Sequence, residues 1–315
     1  MRILIVGDIN VDLILSGYET FPHPGSEVLV DDFAMVLGSA SCITGIGLRK
    51  LGNEVAFLGK AGADSNGDFC VAEMAAAGLD VSRVIRDPAV KTGVTVSISS
   101  VRDRALVSYL GATTTLCADD VPETAFDGFE HLHLSSFYLL EALRPQCADM
   151  FRKARAHGLT VSVDPAFDPK GQWTKGFRDV LAEVDVFLPN EVELEGVSGI
   201  REPLEALRSL ENGRTLTVGK LGPRGAMALE SGHPVSQTAP KVDAIDTTGA
   251  GDSFNSGFLH GWLHRRPLKD ALLLGIACGS YSTMGLGGTA HQANLKQAHA
   301  LLFAHGLIGP GQEVA

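Results

Sequence analysis

Short apolar runs at 3–6, 55–58, 131–134, 159–163, 184–188 and 215–218 recur along the 315 residues, each separated from the next by helical or turn-rich sequence. Each has the length of a strand, and a run that is apolar throughout suits a strand buried on both faces. Strands of that kind alternating with helices predict a doubly wound parallel sheet covered by helices on either side. At 45% hydrophobic residues the chain has ample material for such a core.

Two regions break the alternation. In 11–36 and 93–110 apolar and polar residues alternate, as in TVSISSVRDRALVSYL, where a charged turn interrupts the pattern. That period fits antiparallel strands with one face open to solvent. The expectation is a single domain over 1–315, with these segments projecting as a small β-sheet lid over a site at the C-terminal ends of the parallel strands.

A net charge of −11 and 6% aromatic residues argue against a nucleic-acid surface, which requires clustered Lys and Arg. Five widely spaced cysteines with no CxxC pair point to reduced, mostly buried thiols, with neither a disulfide framework nor a zinc site. The opening MRILIVGDINVDLIL holds too short an apolar run for a signal peptide, and no run approaches the ~18 residues of a membrane span, so a cytoplasmic protein is expected.

The stretch DTTGAGDSF, 246–254, sets a carboxylate directly after three small residues whose amides are bare. Phe254, Phe258, Leu259 and Trp262 follow at helical spacing and Pro267 closes the segment, so Gly249, Ala250 and Gly251 open a helix. Amides and dipole at a helix N-terminus favour an anion. Asp252, in the first turn, is either an acid favoured by the dipole or a base beside a phosphoryl group held by those amides. Asn10 and Asp12, two apart on an extended strand, point the same way and can grip two hydroxyls of one ligand.

DTTGAGD resembles the signature of the ribokinase-like sugar kinase family, often called PfkB, across all seven residues, and the similarity runs along nearly the whole chain. The resemblance implies a three-layer α/β/α sandwich with a mostly parallel central sheet and a small antiparallel β-sheet lid. It further implies transfer of the γ-phosphoryl group of ATP to a sugar hydroxyl, with Asp252 as base and the amides of Gly249, Ala250 and Gly251 as anion hole. Asn10 and Asp12 match the sugar-binding pair, beside Gly38 and Ser39. Asn190 and Glu193 in LPNEVELE match an N-x-x-E motif that organises Mg²⁺ through water. VGKLGPRGA resembles the nucleotide loop, with Lys220, Gly222 and Gly225 along the nucleotide, and ACGSYSTMGLGGTA resembles the segment closing over adenine and a monovalent cation. Asp246 and Thr248 match positions of a K⁺ site. Lid strands in such proteins can pair between subunits, which makes a homodimer an expectation; neither a nucleic acid nor a membrane is an expected partner.

The chain departs from the family pattern at four places. Ser39 stands where a second Gly is usual and Ile43 where an Asn reaches the sugar. In DPAFDPKGQW, Ala166 replaces an Asn and Asp168 an Arg, with Lys170 nearby, which favours a neutral acceptor over a sugar acid or phosphate. Ile43 is compatible with a nucleoside or vitamin-like alcohol as acceptor, and a non-catalytic sugar-binding relative is the remaining alternative. A dinucleotide-dependent oxidoreductase fails because ILIVGDINVD lacks G-x-G-x-x-G, and Ala61 after Gly59 and Lys60 excludes a Walker A loop.

Overall fold

The computed structural model describes residues 1–17, 20–21, 23–99, 104–309 and 312. In chain order the strands are β1 (Arg2–Gly7), β2 (Asn10–Ser16), β3 (Asp32–Leu37), β4 (Glu54–Gly62), β5 (Asp80–Asp87), β6 (Gly93–Ser99), β7 (Arg104–Tyr109), β8 (His131–Leu134), β9 (Thr160–Val163), β10 (Val186–Phe187), β11 (Leu216–Lys220), β12 (Ala226–Glu230) and β13 (His233–Gln237). A large sheet runs β13-β12-β11-β10-β9-β8-β1-β4-β5. It is parallel from β5 to β11 and ends in the antiparallel pairs β11–β12 and β12–β13.

Every apolar run expected as a strand is one, although 184–188 contributes only the two residues of β10. β1 is buried on both faces after Arg2, as its unbroken apolar run requires, and β8 and β9 are buried with polar residues among the apolar ones. Leu4 and Val6 of β1 enter one hydrophobic cluster with Leu132 and Leu134, while Ile3 and Ile5 enter another with Val55 and Phe57. β5 reads DVSRVIRD and sits at the sheet's edge, where polar residues are tolerated and the apolar-run criterion does not apply.

His131 and His133 are exceptions inside the central strand β8, and both are fully buried. A ladder of hydroxyls satisfies them: Thr160 Oγ1 and Ser162 Oγ flank His131 at 2.8 and 2.7 Å, and Ser162 Oγ and Ser135 Oγ flank His133 at 2.7 and 2.8 Å. Burial disfavours the imidazolium and pulls His133 down to about 4, so the ladder joins neutral groups.

The small sheet has the order β3-β2-β6-β7. Its outer ladders are antiparallel, while the central pair β2–β6 is parallel, with Asp12 opposite Thr95. Two separate excursions leave the body in the same direction, one after β1 and one after β5, and each supplies one strand of that pair. Residues 100–103, where the sequence suggested a charged turn, lie outside the described residues, as do 18, 19 and 22. One face of the sheet aligns Leu13, Met35, Val96 and Val107 across the strands; the other carries Asp12, Thr95 and Ser108.

The helix after the glycines runs Ala250–Leu263 with Phe254, Phe258 and Leu259 buried. Pro267 lies beyond its end and caps the next helix, Leu268–Ser282, which packs against it. Among the described residues all five cysteines are unpaired, and no helix is long and apolar enough to cross a membrane.

Candidate active site

The C-terminal ends of β1, β9, β10 and β11 deliver Asp8, Asp164, Asn190 and Lys220 to one edge of the large sheet, the edge where a parallel sheet opens a ligand crevice. The Ala250–Leu263 helix meets them there with its N-terminus. Gly249 is its cap at φ 70°, a left-handed conformation, and a Cβ on it would lie 2.8 Å from the Gly288 backbone and 3.1 Å from the Ile43 side chain. Glycine is thus required there by conformation and by space. Ile43 is buried against Gly249 and Gly288, a wedge beneath the turn at the position where the family pattern has an Asn reaching the sugar.

Asp252 lies one residue beyond Gly251. Although part of its side chain remains open, the surrounding protein and the carboxylates Asp164, Asp8 and Glu193 push its pKa well above the ordinary range, with Lys220 opposing them. The Lys220 ammonium is 2.7 Å from Asp164 Oδ2 and 3.2 Å from Asn255 Oδ1, and Asn255 Nδ2 donates to the same Asp164 oxygen at 2.5 Å. Burial alone would raise Asp164, but Lys220 and Asn255 overcome it and hold the carboxyl below its usual pKa.

Glu193 is 4% exposed. Its two oxygens accept from Asn190 N at 2.8 Å and Asn190 Nδ2 at 2.7 Å, and its amide donates to Asn190 Oδ1 at 3.0 Å, a reciprocal cap on the helix Glu191–Ser198. Burial, with Asp164 nearby, raises its pKa to about 7. Gly222 and Gly225 shape the tight turn between β11 and β12 at φ 56° and 99°; a Cβ on Gly225 would collide with the Gln237 carbonyl. Arg224 in that turn pairs with Glu191, joining the loop to the helix start. Asp246 accepts from Thr248 N and Thr248 Oγ1 at 2.9 and 2.7 Å and from Gly287 N at 2.9 Å, which pins 246–248 to the segment after Leu268–Ser282.

Asn10 and Asp12 do share a face, and Asn10 Nδ2 donates to Asp12 Oδ1 at 2.7 Å. Gly38 closes over them: a Cβ there would lie 2.2 Å from Asp12 Oδ1 and 2.5 Å from Asn10 Nδ2. Ser39 adopts φ 75°, a glycine-like conformation that accounts for the residue usual there, while its hydroxyl donates to Asp8 O at 2.7 Å and caps the helix Ala40–Lys50. Ser41 Oγ donates to Asp8 Oδ1 at 2.6 Å and secures the strand end to the same helix.

Asp168 is 2% exposed and accepts from the amides of Lys170 and Gln172 at 2.9 and 2.5 Å. Its charge shapes its own loop, and Lys170 pairs with Glu141, so the argument for a neutral acceptor loses its basis. Ala166 sits at φ 55°, held by its amide on Asp164 Oδ1 at 2.9 Å. Left-handed backbone costs an alanine about 1 kcal/mol. Ala166→Gly is accordingly expected to raise unfolding stability by about 0.5–1 kcal/mol, read by urea denaturation; a loss of stability would show that this conformation carries no strain.

The sequence reading missed Asp8, Asp164 and Asn255. Asp8 and Asp164 were legible as carboxylates immediately beyond strands 3–6 and 159–163, and Asn255 as the residue three places after Asp252, on the same helix face.

A family model described as pfkB family carbohydrate kinase matches residues 1–293. The ribokinase of Staphylococcus aureus is 27% identical over 82% of this chain and 85% of its own length. The 2-dehydro-3-deoxygluconokinase of Bacillus subtilis is 29% identical over 82% of this chain and 84% of its own. An E. coli structure described as a candidate ribokinase II, in complex with ATP and Mg²⁺, superposes with a TM-score of 0.85 at 20% identity, covering 96% of this chain and 99% of that one.

Proposed function

The chain belongs to the pfkB family of carbohydrate kinases, and from that premise we propose that it transfers the γ-phosphoryl group of ATP to a hydroxyl of a sugar in the cytoplasm. The observation that carries this is the helix start at Gly249. It sets the amides of Gly249 and Gly251 and a carboxylate of raised pKa within one turn, at the strand edge where the other charged groups converge; the amide of Ala250, expected beside them, donates to Thr247 O at 3.2 Å. The acceptor oxygen attacks the γ-phosphorus as its proton passes to Asp252, and the bond to the bridging oxygen of ADP breaks. The amides of Gly249 and Gly251 offset charge on the group in flight, joined by that of Ala250 only if it leaves Thr247 O.

The donor set fits a metal brought by the nucleotide. Carboxylates outnumber cations around Asp252, and Glu193, with both oxygens already bonded to Asn190, would act through water, as Mg²⁺ allows. Mg²⁺ would supply neutralisation of the phosphate charge. Asn190 and the turn at Gly222 and Gly225 would receive the nucleotide, Asn10, Asp12, Gly38 and Ser39 the sugar, and Asp246 and Thr248 a K⁺ ion. Coupled ADP-release assays across pentoses, hexoses, keto-sugars, sugar acids, sugar phosphates and nucleosides test the reading; no ADP release with any of them would defeat it.

The small sheet supports two further parts of the proposal. Its polar face starts at Asn10 and Asp12, which suits a lid that excludes water from the γ-phosphate. Its apolar face leaves Phe33, Met35, Val107 and Tyr109 exposed, which suits a homodimer through the lid. Hydrogen exchange is expected to show β3 and β7 protected at micromolar protein, less so on dilution, and β2 and β6 slowed further by substrate. Exchange independent of both concentration and substrate would contradict dimer and lid together.

A further inference from the structure

Lys220 commits two of its three ammonium donors to this chain's own buried groups. We propose that Lys220 is a positioning residue for the general base and not a nucleotide ligand: its ammonium locks the first turns of the Ala250–Leu263 helix to the ends of β9 and β11 and is the cation that faces Asp252. This rests on the reading of Asp252 as the base.

Three contacts close a ring. Lys220 Nζ reaches Asp164 Oδ2 at 2.7 Å and Asn255 Oδ1 at 3.2 Å, and Asn255 Nδ2 reaches Asp164 Oδ2 at 2.5 Å. The three residues, Lys220, Asp164 and Asn255, are 9%, 3% and 0% exposed, so the ring is buried. Each comes from a different element, and Asn255 lies three residues after Asp252, on the same side of the helix. A Cβ on Gly251 would lie 3.5 Å from Lys220 Nζ, which places the ammonium directly under the turn that bears the base.

A protonated amine has three donors, and two of these are committed to Asp164 and Asn255. Turning to a phosphate would strip Asp164 of its cation in a buried setting, where an unpaired charge is strongly destabilising. The charged groups around Asp252 are the carboxylates of Asp164, Asp8 and Glu193 and the ammonium of Lys220. Three of these favour a protonated base. Lys220 opposes them, and without it the base would be neutral over a wider range of pH.

The pH dependence of kcat/KM tests this in Lys220→Met and Asp164→Asn. The acid limb is expected to move to higher pH in Lys220→Met, with KM for ATP within about threefold of wild type, and to lower pH in Asp164→Asn, because the two charges act on Asp252 with opposite sign. A purely structural role would give no such opposition. Repeating the series in Glu193→Gln assigns the limb, since Glu193 also titrates near neutrality. A tenfold rise in KM for ATP with an unmoved limb in Lys220→Met would return Lys220 to the nucleotide and overturn the proposal. Should Lys220→Met fail to fold, the charge-conserving Lys220→Arg decides: a limb that stays in place with KM for ATP within about threefold of wild type supports the proposal, and a tenfold rise in KM for ATP overturns it. Full activity in Asp252→Asn would instead remove the base itself, whatever the Lys220 series shows.

Discussion

Asp252→Asn is expected to leave the fold and ATP affinity nearly intact while lowering kcat by roughly 10² to 10⁴, the usual contribution of a positioned base. The substitution is isosteric, and the Asp252 carbonyl, which accepts from Ser256 Oγ at 2.9 Å, is unchanged by it. What disappears is the proton acceptor beside the Gly249–Gly251 amides. The wild-type rate should fall on acidification at a pH above the ordinary carboxylate range, because burial and then Asp164 raise the Asp252 pKa. Single-turnover measurements with saturating ATP read the effect directly. An amide variant retaining more than about a tenth of the wild-type kcat would remove Asp252 from this role.

For Glu193→Gln the large effect is on how stability depends on pH. The native carboxyl titrates at about 7 where an unfolded glutamate titrates near 4.5. A folded pKa raised above the unfolded one contributes stability that is fully present below 4.5 and lost as pH rises through 7. The wild-type protein therefore loses about 3 kcal/mol across that window on this account, and the glutamine variant does not. Glutamine also places an NH₂ against one of the two Asn190 donors, a cost that shifts the whole curve without changing its slope. The buried histidines titrate in the opposite sense, but they are common to both proteins and cancel. Urea unfolding at pH 5 and pH 8 should show the variant gaining about 3 kcal/mol relative to wild type between the two. Parallel curves would show that the Glu193 carboxyl is not held at a raised pKa. The same variant should need more Mg²⁺ for half-maximal rate with little change in sugar KM, since the carboxylate is proposed to act through the hydrated ion.

The sequence by itself determined six strands of the large sheet, β1, β4, β8, β9, β10 and β11, because a strand buried on both faces is mostly apolar and that signal is local to each run, whereas β5, β12 and β13 at the sheet's two ends carry no such run. It also determined the helix start at 249–252, because GAG followed by a 3.6-residue apolar period has few other conformations available. The sharing of a face by Asn10 and Asp12 was likewise fixed by the period of a strand. Tertiary structure alone decided what these residues meet. Nothing near Lys220 in the chain shows that its ammonium lies between Asp164, 56 residues away, and Asn255, 35 residues away, since that ring is closed by three elements converging at one sheet edge. The same holds for Ile43 and Asp168, whose side chains looked available to a ligand in sequence and were taken by the Gly249 turn and by neighbouring amides. A pKa depends on burial and on charges gathered through space, so the raised Glu193 and Asp252 and the depressed Asp164 follow only once the sheet has brought a cation and several carboxylates to one edge.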